Sequence, residues 1–113
     1  MSTIKTATLT GTWTVRAGGA VIGESRAAVE LTEEGYEPVI YFPRVDIATA
    51  LLDPSDHTTL CEARGTARFY SIITKSGTIE NAAWSYEEPK AEALQIKGHF
   101  AFHTGDLVTV ERL

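Results

Sequence analysis

The sequence predicts a mainly β fold, with two packed antiparallel sheets and one or two short helices, and three observations carry that prediction. Residues 6 to 16 alternate between apolar and polar side chains with a period of two. Gly18-Gly19 and Lys75-Ser76-Gly77 each separate two runs of strand-like pattern, as hairpin turns do. Helical spacing is confined to two short stretches, near residues 45 to 52 and 89 to 95. About seven strands against two short helices leave sheet-on-sheet packing as the way to bury a core.

In the first run, Ala7, Leu9, Trp13 and Val15 share one face, and Thr6, Thr8, Thr10, Thr12, Thr14 and Arg16 the other. That is the pattern of a half-buried strand. Gly18-Gly19 suits the positive φ angles of a tight hairpin turn, and Val21, Ala27, Val29 and Leu31 continue an inward face down the return strand. The two strands make one long antiparallel ribbon. After a turn at Glu34-Gly35, Val39-Ile40-Tyr41-Phe42 is a short apolar strand closed by Pro43.

Val45, Ile47, Ala48, Leu51 and Leu52 fit about two helical turns, with Asp46 in the first and Asp53-Pro54 as the stop. A second hairpin spans residues 66 to 74 and 78 to 86. Its alternation sets Ala82, Trp84 and Tyr86 on one side and Asn81, Ala83 and Ser85 on the other, unless a bulge intervenes. A short helix from Pro89 to Gln95, ended by Gly98, precedes a strand at Phe100 and Phe102 and a last one at Val108 and Val110.

Residues 1–113 read as a single domain, since a chain of this length supports one core. Hydrophobic content of 43% with 22% charge is that of a soluble protein, and no run approaches the roughly 18 apolar residues of a membrane span. The first residues, MSTIKTATLTG, lack the apolar core of a secretory signal. A single cysteine cannot form an internal disulfide, so the expected setting is a reducing cytoplasm. A net charge of -5 with scattered basic residues argues against nucleic acid as a partner. No motif calls for a cofactor.

The distinctive residues fall in three islands, YFPRVD (41–46), DHTTLCEARG (56–65) and NAAWSYEEP (81–89). Metal binding is disfavoured by spacing: in a strand, His99 and His103 lie roughly 13 Å apart, too far for one metal, and no paired-ligand motif is present. Cys61, with His57 upstream and Arg64 downstream, could act as an activated nucleophile, or pack as a small hydrophobe, which is the expectation here. Arg44 and Arg64 carry planar forks suited to phosphate or carboxylate, with an Arg44–Asp46 ion pair as the alternative. Trp84 and Tyr86 are either core aromatics or a wall for a planar ligand, with Tyr70 across the hairpin adding a hydroxyl. Glu87, Glu88 and Glu92 read as solvated charges.

Together these residues resemble a family. Gly19 and Ser25, then Tyr41, Pro43, Arg44 and Asp46, then Leu52, Thr59 and Cys61 through Gly65, and finally Ala83, Trp84, Tyr86 and Pro89 look like the signature of the domain of unknown function 427, which carries a nucleotidyltransferase-like label. The resemblance spans residues 13 to 103. It implies a tent-like arrangement of two antiparallel sheets, akin to folds that elsewhere hold zinc at paired cysteines, which this chain lacks. Arg64 stands where the family usually has a lysine.

The reading of the residues is a small domain with one pocket, lined by Arg44, Asp46, Cys61, Arg64, Tyr70, Trp84 and Tyr86, for a small polar or anionic ligand. The alternatives are a protein-interaction module that uses a sheet edge, and a nucleotidyltransferase-like enzyme with Asp46 and Asp56 at Mg²⁺.

Overall fold

The computed structural model describes residues 3–113, with 57% of the chain in strands and 11% in short helical turns, all of them 3₁₀. Ten strands follow in order: β1 Ile4–Thr8, β2 Trp13–Ala17, β3 Ala20–Ser25, β4 Val29–Glu33, β5 Val39–Tyr41, β6 Leu52–Cys61, β7 Gly65–Thr74, β8 Gly77–Ser85, β9 Phe100–Phe102 and β10 Val108–Arg112. The 3₁₀ turns are Arg44–Asp46, Thr49–Leu51 and Ala91–Ile96. No helix among the described residues is long and apolar enough to cross a membrane.

The mainly β, antiparallel architecture holds, and its strands divide over three sheets, in the orders β1-β4-β5, β10-β2-β3 and β6-β7-β8-β9. Phe42 and Phe100 exchange both backbone hydrogen bonds, 2.8 and 2.9 Å long. This bridge ties the first sheet to the β9 edge of the four-stranded one.

The predicted ribbon forms, but it bends. Gly11, at φ +85°, breaks the run of residues 6 to 16, so that β1 pairs with β4 while β2 pairs with β3 in another sheet. Gly18 and Gly19 both take positive φ in the two-residue turn between β2 and β3, as expected. A register shift between Val15 and Arg16 then changes the phase of the return strand: Ile22, Ala28, Val29 and Leu31 are buried, whereas Val21 and Ala27 are exposed.

The segment after Pro43 differs from the two-turn helix expected there. It forms two separate 3₁₀ turns, with Val45 91% exposed and Ile47 turned into the core. Asp53-Pro54 does not stop a helix but lies inside β6. Proline is tolerated because β6 is an edge strand, and its ladder to β7 is interrupted between Pro54 and Thr58.

Two apolar clusters result. One gathers Val15, Ile22, Phe42, Tyr70, Ile72 and Phe100 with their neighbours. The other gathers Val29, Leu31, Tyr41, Phe69, Tyr86 and Ile96 with theirs. The adjacent residues Tyr41 and Phe42, both fully buried, serve opposite clusters because successive strand side chains point to opposite faces.

Candidate functional site

The turn from β6 to β7 builds the centre of the site. Cys61 pairs with Gly65 to close it, and Gly65 takes φ +114°, a conformation that L side chains rarely adopt. The Lys90 N–H donates to Arg64 O at 2.9 Å, which fastens this turn to the segment after β8. A Cβ on Gly65 would lie 3.3 Å from Glu88 O, tighter than most real Cβ contacts, so the two segments approach closely here. The end of β4 and the 3₁₀ turn Ala91–Ile96 complete the walls. The resulting cleft has a volume of about 670 Å³ and is lined by residues that include Glu33, Tyr36, Cys61, Glu62, Arg64, Tyr86 and Glu92.

Arg64 is 9% exposed. It donates through Nη2 to Glu33 Oε1 at 3.1 Å, an ion pair whose side chains are only 11% and 9% exposed. Its Nε–H is buried without a hydrogen-bond partner among the described residues. Burial works against the charged guanidinium, but Tyr41, Tyr86, the Glu33 hydrogen bond and Cys61 outweigh it and raise its pKa. Burial also pushes the Tyr86 hydroxyl up to about 12, with Tyr41 and Cys61 adding to the effect and Arg64 opposing it. Tyr41 is raised by burial against the pull of Trp84 and Arg64. Its hydroxyl accepts from Trp84 Nε1 at 3.3 Å, and its ring meets Trp84 edge-on at 6.5 Å.

The structure therefore brings Cys61, Arg64 and Tyr86 together in one cleft and places the other four predicted site residues elsewhere. Trp84 stands behind the cleft, bracing Tyr41. Tyr70 is on the opposite face of β7: the β7–β8 register pairs Phe69 with Trp84 and Tyr70 with Ala83. Its ring packs edge-on to Phe100 at 5.0 Å in the other cluster, so its hydroxyl does not join the wall.

Arg44 lines a separate groove of about 430 Å³, with Val45, Glu87, Lys97, Gly98 and His99. Its guanidinium is used by the fold: Nε donates to Gly98 O at 3.1 Å, Nη2 donates to Ser85 Oγ at 3.4 Å, and the group lies 4.3 Å over the Phe100 ring. The expected alternative, an ion pair with Asp46, does not form either. Asp46 accepts from Ser25 Oγ at 2.7 Å, and Arg44 has Glu87 at 3.7 Å.

Cys61 is half-buried, so it is open to the cleft to a degree that packing as a small hydrophobe did not anticipate. His57 lies against Phe69 at 4.6 Å, and His103 against Trp84 at the same distance. Among the described residues no three His, Cys, Asp or Glu side chains come together as metal ligands.

Sequence reasoning missed Glu33, Tyr36 and Glu62 as residues of the cleft, whereas Glu92, read as a solvated charge, is exposed and also lines it. One signal pointed to Glu33: an arginine in the apolar word ARGTA needs a carboxylate partner if it is buried. The sequence holds too many acids to say which.

No curated protein matches this chain. The family described as Domain of unknown function (DUF427) matches residues 5–112. That match covers nearly the whole length and takes in every wall of the cleft, and the chain belongs to this family.

Proposed function

We propose that the cleft at Arg64 binds a small polar ligand, and that Arg64 recognises an acceptor on it. The observation that carries this reading is the buried Nε–H of Arg64, which has no hydrogen-bond partner among the described residues. A buried donor left unmet costs roughly 1–3 kcal/mol, and a ligand oxygen reached by a small shift of the side chain would recover it. Glu33 already neutralises the guanidinium, and Glu62 and Glu92 stand nearby. A ligand with one acidic or carbonyl group therefore fits better than a polyanion such as a nucleoside triphosphate.

Nucleotidyl transfer needs Mg²⁺ held by converging carboxylates, and among the described residues no three acidic, histidine or cysteine side chains converge. Asp46, one of the two acids beside the sequence islands, accepts from Ser25 and does not line the cleft. The setting we infer is a reducing cytoplasm, with neither nucleic acid nor membrane as partner.

A protein-docking role is the second reading, favoured by Leu60 and Tyr36, which are 76% and 69% exposed beside the cleft. Thermal denaturation with a panel of amino acids, monocarboxylates, amides and sugar phosphates, alongside native mass spectrometry of the purified protein, separates the two. Ligand binding predicts a rise in Tm with a member of the panel, by mass action on the native state. It also predicts loss of that rise in Arg64→Lys, which keeps the charge and loses the fork. No shift across the panel, with a protein partner captured at Leu60 and Tyr36, would favour docking.

A further inference from the structure

Cys61 is the only cysteine in the chain, and it ends β6 half-buried on the wall of the cleft. Two further observations say what could approach it. Arg64, nine-tenths buried on the same wall, keeps an unmet Nε–H donor and so favours an acceptor. Glu62 and Glu92 line the cleft without any cation among its lining residues besides Arg64, which is paired with Glu33. A cleft of one sign concentrates ligands of the other. A small molecule that carries both a carboxylate and an ammonium group answers both features, the first at Arg64 and the second at Glu62 and Glu92.

We infer that Cys61 is a thiol–disulfide exchange site for small disulfides whose arms carry both groups, that is, amino-acid disulfides. The inference rests on the reading of the cleft as a ligand site. In the exchange the Cys61 thiol releases its proton to water, and the thiolate attacks one sulfur of the disulfide. The S–S bond breaks, and the departing thiolate takes up a proton, leaving Cys61 in a mixed disulfide. The disulfide is itself the oxidant: the Cys61 sulfur gives its electron pair to the new S–S bond while the departing sulfur keeps the pair of the broken one, so no other oxidant is needed.

The test follows adduct formation by intact mass with four probes: cystine, cystamine with ammonium arms, 3,3′-dithiodipropionate with carboxylate arms, and uncharged hydroxyethyl disulfide. Each rate is divided by that of the urea-unfolded chain, which removes intrinsic reactivity. Cystine should show the largest ratio and dithiodipropionate the smallest, about tenfold apart or more. Glu92→Gln, on an exposed turn, should lower the cystine and cystamine ratios and raise that of dithiodipropionate. Equal ratios for all four probes, or dithiodipropionate ahead, overturn the inference.

Cys61→Ser separates the two readings. If it keeps a ligand-induced Tm rise while the wild-type probes show no charge preference, exchange falls and the binding cleft stands.

Discussion

Arg64 and Glu33 meet across 31 positions of sequence, and burial makes their pairing sensitive. Removing one partner of a buried pair leaves a charge without compensation, at about 3–5 kcal/mol. Arg64→Ala should therefore lose stability on that order in urea denaturation, and Arg64→Met with Glu33→Leu should regain most of it. Tyr86 gives a prediction in pH. Its folded pKa, about 12 through burial, lies above the ordinary tyrosine value of about 10, so the neutral hydroxyl belongs to the native state. The stabilisation is complete below about 10 and is lost as pH rises from there through about 12, because the unfolded chain ionises first. Alkaline unfolding, followed by tyrosinate absorbance, should be less steep in Tyr86→Phe. Arg64 itself stood out in the sequence. Its partner did not, because nothing near position 64 encodes which distant acid the β4 end delivers.

Asn81 shows how one residue sets the phase of an element. It takes φ +52°, the only positive value among the described non-glycine residues, where β8 shifts register against β7. The Ser55 hydroxyl donates to its Oδ1 at 2.6 Å, and its own N–H donates to Ser71 Oγ at 3.2 Å. The irregularity explains why the neighbours Ala82 and Ala83 are both buried, which simple alternation forbids. Asn81→Ala forces an unsuitable residue into this conformation and removes the Ser55 contact, so it should cost about 1–2 kcal/mol. Asn81→Gly should cost less, and chemical denaturation of the pair checks the order. The hairpin around Lys75-Ser76 was legible from its turn residues and flanking pattern. The register of its strands was not, and a misjudged partner, Tyr70 for Phe69, set one aromatic on the wrong side. Pattern identifies a strand; only the neighbouring strand decides which residue stands opposite.

The whole molecule joins two apolar clusters through β5 and β9, where Tyr41 and Phe42 point to opposite sides of one strand and its continuation. Each cluster contains its own reporter, since Trp13 packs against the first and Trp84 against the second. Shared strands should make the two melt together. Urea transitions of Trp84→Phe, followed through Trp13, and of Trp13→Phe, followed through Trp84, should each coincide with the circular-dichroism transition of the same variant. A displaced midpoint would mean that the clusters unfold separately. Phe100→Ala, at the bridge, should cost about 3–5 kcal/mol. At this scale the fold class was readable from periodicity and turns. The partition into three sheets depended on Gly11, where a break in a regular alternation carried more information than the alternation did.

The Lys90 N–H bond to Arg64 O, with Gly65 pressed against the Glu88 carbonyl, has a consequence for how the cleft opens. The turn that carries Cys61 and Arg64 and the segment that leads from Tyr86 to Glu92 are latched by their backbones, so the two jaws shift as one body. A ligand would find its seat preorganised. Little loop entropy would be lost on docking, and affinity would be governed by how slowly the ligand leaves.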